Sequence, residues 1–136
     1  MERAESGGGI VTNDVELRVP ADATFVAVLR SLTAGLAARC DLTLDEIEDL
    51  RLAVDEACAL LLPHARPDTS MATRFALYPD HLDLSISVAA EPDAAPDRGG
   101  FGWTVLCALA DEVHVSSRGK ELVIAVAKRR ASTTTR

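Results

Sequence analysis

Glu46–Ala65 reads EIEDLRLAVDEACALLLPHA, and this stretch decides the helical half of the fold. Thr43 lies three residues ahead of Glu46. That is the spacing of a capping box, in which a threonine hydroxyl and a glutamate carboxylate satisfy free N–H groups of a first helical turn. Leu44, Ile47, Leu50, Val54, Ala57, Cys58 and Leu61 then recur at helical spacing, predicting one apolar stripe. Pro63 marks the end of the helix, because its ring cannot continue the hydrogen-bond ladder. Glu56 stands partway along, one turn from both Leu52 and Leu60. A carboxylate held there can serve as general base toward a hydroxyl, or it is one more solvated helix glutamate.

Outward from this helix the pattern extends in both directions. Val15–Val19 alternates apolar and charged residues, the period of a half-buried strand, and Pro20 closes it. Ala23–Arg39 carries Phe25, Val28, Leu29, Leu32 and Leu36 at helical spacing, with Asp22 placed to cap it. Downstream the period changes to two. Met71–Tyr78 and Leu82–Val88 flank Pro79-Asp80-His81 and read as an antiparallel hairpin. Glu91–Gly100 is loop. Arg98–Val115, RGGFGWTVLCALADEVHV, runs from a glycine-rich turn into a short helix over Phe101–Ala110 and then a strand. Val113–Ser117 and Leu122–Lys128 pair around Arg118-Gly119-Lys120. The order β-α-α-β-β-α-β-β predicts an α+β two-layer sandwich, a mostly antiparallel sheet with helices on one face. Residues 14–130 are expected to form the domain, with 1–13 disordered and 131–136 a flexible tail.

Bulk properties remove several function classes. A net charge of −7 argues against nucleic acid as the main partner, since phosphate binding requires clustered Lys and Arg. No apolar run approaches the ~20 residues that span a bilayer, and MERAESGGG has no apolar core of a secretory signal. Cys40, Cys58 and Cys107 lack metal-ligand spacing, and Cys58 and Cys107 read as reduced core thiols, so a cytoplasmic setting is expected. His64, His81 and His114 are too scattered to nominate a metal site. Trp103 reads as a core anchor. The acids between Asp41 and Glu56 read mostly as a solvated helix face.

The two quoted stretches, in this order and at this separation, resemble the nucleotide-site elements of the anti-sigma serine-kinase family. That family is a branch of the Bergerat-fold ATPases that also includes histidine kinases. Its helix motif looks like Glu-Ala-Cys-Thr-Asn-Ala followed by His-Ala. Glu56, Ala57, Cys58, His64 and Ala65 match it, while Ala59 replaces Thr and Leu60 replaces Asn. Gly100-Phe101-Gly102-Trp103 is similar to the family's Gly-Leu-Gly-Leu turn, and Gly119-Lys120 keeps the glycine of its closing Gly-Thr. The resemblance implies a histidine-kinase-like ATPase fold and makes Glu56 the catalytic base. It also makes Gly100, Gly102 and Gly119 cofactor-binding positions, with ATP and Mg²⁺ as cofactors. The asparagine that would hold Mg²⁺ is Leu60 here. Val88 to Ala90 occupy the place of the family's adenine-binding Asp-x-Gly, and Glu91 is the nearest acid.

Family members use a face of the first helix to dimerise and to grip a sigma factor, which nominates Arg30 as a partner contact. The resemblance thus implies an anti-sigma factor that sequesters an alternative RNA polymerase sigma factor and is released by an anti-anti-sigma antagonist. Its kinase site is expected to be degenerate, and the protein is expected to be a homodimer. The alternative is an active serine kinase that phosphorylates its antagonist. A third reading is an adaptor for some other protein partner.

Overall fold

The computed structural model of the protein describes residues 13–131. The expectations for residues 1–12 and 132–136 lie outside these described residues. The chain forms β1 (Asn13–Pro20), a 3-10 turn (Ala23–Phe25), α1 (Val26–Arg39), α2 (Leu44–Leu61) and a second 3-10 turn (Leu62–His64). The hairpin strands β2 (Ser70–Leu77) and β3 (His81–Ala89) follow, then α3 (Phe101–Leu109), β4 (Glu112–Arg118) and β5 (Glu121–Arg129). The element order is the one read from the sequence. The sheet runs β1-β2-β3-β5-β4 with every pair antiparallel.

Strict alternation puts Met71, Phe75, Leu84, Ile86, Leu122 and Ile124 on the face beneath the helices, all essentially inaccessible to solvent. Leu29, Leu50, Val54, Ala57 and Leu61 press onto them from α1 and α2. The opposite face is open. Its floor is small and half-buried (Ala72, Ser85, Ala125), and its margins on β1 and β4 are charged.

Caps explain the helix boundaries. The Thr43 hydroxyl accepts from the Glu46 amide at 3.2 Å and the Glu46 carboxylate accepts from the Thr43 amide at 2.8 Å, so the capping box forms as expected. Asp22 accepts from the Thr24 amide at 2.9 Å, but it caps the 3-10 turn, and α1 proper starts at Val26.

Three sequence expectations are corrected. Leu44 is 83% exposed, because it lies in the first helical turn before the helix reaches the sheet. Cys107 is exposed while its neighbour Leu106 is fully buried, a difference of one 100° step around a helix that touches the core with a narrow stripe. Cys40 and Cys58 are the buried thiols.

The acids of residues 41–56 are not a plain solvated face either. Asp49 holds the buried Lys128 at 3.3 Å, Asp41 pairs with Arg130, and Glu46 accepts from the Ala131 amide at 2.6 Å. Lys128 also donates to the Leu109 carbonyl at 2.9 Å. The acidic helix stitches down the end of the last strand.

Candidate functional site

α2 and α3 pack against each other, and the fold thereby brings the two quoted stretches together. Glu56 is half-buried on α2, and its carboxylate makes no hydrogen bond or ion pair with the described residues. Its Oε1 lies 3.0 Å from the position a Cβ on Gly102 would take, and Leu60 Cδ2 lies 4.0 Å from the same point. Gly102 is the second residue of α3, so the lack of a side chain there is what lets the α3 backbone approach the Glu56 carboxylate. Gly100 is the N-cap of α3 and carries no side-chain cap, which leaves first-turn N–H groups free.

The loop before α3 is well tied. The Asp97 carboxylate accepts from the Gly99 amide at 3.0 Å and approaches within 3.0 Å of where a Gly100 Cβ would stand. The Arg98 guanidinium stacks over the Trp103 ring at 5.1 Å. Pro96 is buried and Ala94 packs against the core, so the segment is pinned along its length. Trp103 is partly buried and packs on the core as expected, with Arg98 covering its outer side.

At the far end of β3, Ala90 is fully buried and its amide donates to the Lys120 carbonyl at 2.8 Å. Gly119 holds φ +60 in the β4–β5 turn, the left-handed region that glycine adopts freely. It shapes that turn, and Lys120 beside it fastens the turn to the end of β3. Glu91 lies beyond the strand, and its carboxylate is engaged by Arg66 at 2.7 Å. Arg30 lies one helix away on α1, its Nε 2.9 Å from Asp55 Oδ1.

The structure therefore assembles Glu56, Leu60, Gly100 and Gly102 at one place. It puts Gly119 in a separate turn and links Arg30 to the residue preceding Glu56. Sequence reasoning missed Asp97, although an Asp two residues before a Gly-Gly pair is a turn signature. It also missed Asp55, which no local pattern ties to a residue 25 positions away.

The architecture and the glycine turn set against an acidic helix are those of the histidine kinase-like ATPase domain, a family the chain matches over residues 19–127. The chain is 36% identical over 107 residues to the anti-sigma-F factor RsbW of Mycobacterium tuberculosis, covering 79% of this chain and 64% of the relative. It is 30% identical over 124 residues to the serine-protein kinase RsbW of Bacillus subtilis, covering 76% of this chain and 78% of that protein. This chain belongs to the histidine kinase-like ATPase family, in its branch of anti-sigma factors and serine-protein kinases. It spans just under two thirds of the length of the mycobacterial relative.

The residues at the site do not fit a magnesium-bridged ATP. A hard cation takes oxygen ligands, and Leu60 presents a methyl group. No group of three or more His, Cys, Asp or Glu among the described residues is placed to hold a metal. The strand end that would meet a purine offers Ala89 and Ala90, and the nearby Glu91 is already paired. An adenine amino group buried there without an acceptor costs about 1–3 kcal/mol.

Proposed function

We propose that this chain is an anti-sigma factor acting by binding alone. It sequesters an alternative RNA polymerase sigma factor in the cytoplasm, and an antagonist of the anti-anti-sigma class competes it off. The domain of residues 14–130 carries this activity, Arg30 contributes a partner contact from α1, and the protein works as a pair of identical chains. The observation that carries the reading is Leu60, which stands beside Gly102 and Glu56 where the branch needs a metal ligand. Release then depends on the amount and affinity of the antagonist.

The test is capture of the tagged protein from a lysate of its own host with and without MgATP. A stoichiometric sigma factor in both lanes is the expected result. Recovery that depends on MgATP overturns the loss of nucleotide control, and no sigma factor in either lane overturns the function. A melting experiment gives a second readout. Ligand at 100 times its dissociation constant stabilises a protein by about 2.7 kcal/mol, roughly 10 °C for a domain of this size. Millimolar MgATP is expected to give no such shift.

One observation favours a second reading, an active serine kinase that phosphorylates its antagonist. Glu56 is half-buried and unpaired beside the glycine turn, as a general base requires. Saturable ATP binding that survives Glu56→Gln while phosphotransfer disappears would establish it.

A further inference from the structure

The outer side of α2 carries a ridge that the described residues leave open. Residues four apart share a row on a helix, and the row Leu44, Glu48, Leu52, Glu56, Leu60 alternates apolar and acidic side chains. Leu44 is 83% exposed and Leu52 46%. Glu48 is exposed too, while Glu56 and Leu60 sink to half-buried where the row reaches α3. There Gly102 abuts both Glu56 and Leu60, and Phe101 just before it is 83% exposed. Leu44, Leu52 and Phe101 are three of the four large apolar side chains left exposed among the described residues; the fourth, Val28, is on α1.

The charge beside these apolar groups is of one sign. α2 holds Asp45, Glu46, Glu48, Asp49, Asp55 and Glu56 against a single cation, Arg51. Glu46, Asp49 and Asp55 are committed inside the molecule, to the Ala131 amide, Lys128 and Arg30. Arg51 meets Glu48 at 3.4 Å, a long contact between solvent-accessible groups that contributes little. The carboxylates of Asp45 and Glu56 make no hydrogen bond or ion pair with the described residues.

We propose that this ridge docks a basic amphipathic helix of a partner protein. Apolar side chains of that helix fall beside Leu44, Leu52 and Phe101, and its lysines or arginines meet Glu48 and Glu56. Such a helix presents its anchors at the same four-residue spacing, and interlocking of two such rows is the commonest helix packing in globular proteins. From Leu44 to Glu56 the row is about 18 Å long, so roughly three to four turns of a partner cover it. Glu56 is the strongest anchor. A cation that reaches this half-buried carboxylate makes a charge-assisted hydrogen bond partly shielded from water. A second copy of the chain is a poor occupant, because it brings the same acids against these.

The surface lies on α2, apart from the Arg30 contact on α1, and goes beyond sequestration of a sigma factor. The test uses the full chain and a labelled synthetic peptide about five turns long. Leucine and arginine alternate every fourth residue along one face of the peptide, with alanine and glutamine elsewhere. Fluorescence anisotropy reads affinity, and circular dichroism melts check that each variant is folded. Wild type is expected to bind in the micromolar range, and a scrambled peptide of equal composition about tenfold more weakly. Leu52→Glu and Glu56→Gln are each expected to lower affinity about tenfold. Val28→Glu, at an exposed position on α1, is expected to leave it unchanged.

Equal binding of the scrambled peptide overturns the proposal, because bulk charge then accounts for the attachment. So does a wild type that binds neither peptide, or an affinity indifferent to Leu52→Glu. Sedimentation reads the other occupant: a wild-type dimer made monomeric by Leu52→Glu assigns the ridge to a second copy and overturns the proposal as well. None of these outcomes involves capture of a sigma factor, so the two readings fail separately.

Discussion

Arg30 of α1 and Asp55 of α2 form an ion pair across the two helices, Nε to Oδ1 at 2.9 Å, with both side chains about one third exposed. Only the Nε donor is committed to this contact, so the two terminal nitrogens of the guanidinium remain available to a second carboxylate. Asp55 thus sets the direction of the fork that a protein partner would meet.

A thermodynamic cycle on partner affinity reads this out. Arg30→Ala is expected to lower sigma-factor binding 10- to 100-fold, the loss of a charge-assisted hydrogen bond of about 1.5–3 kcal/mol. Asp55→Ala is expected to cost a few-fold through lost orientation. The double variant is expected to bind no worse than Arg30→Ala. Fold stability changes little in any of them, by about 0.2–1 kcal/mol for a pair this accessible to solvent. Additive losses in affinity would separate the two residues.

Gly102 reports on the Glu56 site. An alanine Cβ would stand 3.0 Å from Glu56 Oε1, the far end of a flexible side chain, so the glutamate can swing aside. Gly102→Ala is expected to change stability by less than about 1 kcal/mol, helix propensity offsetting the crowding. Gly102→Val also adds atoms that press on Leu60, and is expected to destabilise by about 1–3 kcal/mol. Glu56→Ala in the valine background is expected to recover part of the loss in urea melts.

The cysteines separate cleanly. Burial pushes the Cys58 thiol up to about 12, with Asp55 adding to the rise, and burial also raises Cys40. A thiol reagent attacks the thiolate, so only the exposed Cys107 is expected to react in the native protein. Native labelling is expected at one equivalent, abolished by Cys107→Ser. Unfolding should expose all three thiols.

Asp83 predicts a pH dependence with a definite sign. Its carboxyl is raised by burial, so the folded state binds its proton more tightly than the unfolded chain does. The resulting stability is present below the ordinary carboxylate range and is lost as pH rises through the raised value. Asp83→Asn removes that dependence and is expected to be more stable than wild type at neutral pH, with the two converging in acid. Urea melts across this range check it, and parallel profiles would contradict the assignment.

Much of this was legible because the signals are local. The capping box needs only Thr43 and Glu46, and each strand announces itself by alternation over five to nine residues. Glu56 and the Gly100–Gly102 turn were legible through resemblance, and their meeting follows from packing α3 on α2. What stayed hidden is what joins distant positions. Glu46 holds the amide of a residue 85 positions on, and Lys128 reaches back 79 to Asp49. Acids with such partners look in sequence like any solvated run. Cys107 failed for a different reason: a nine-residue helix that is apolar on all sides does not reveal which stripe it buries.

The sheet order has a consequence for how the chain is made. β5, the last of the described strands in chain order, lies between β3 and β4. Until it inserts, β3 presents a bare edge and β4 has no neighbour, so the sheet closes only when β5 is in place. A chain in which β5 has not yet inserted therefore carries an open strand edge that invites mispairing with other chains.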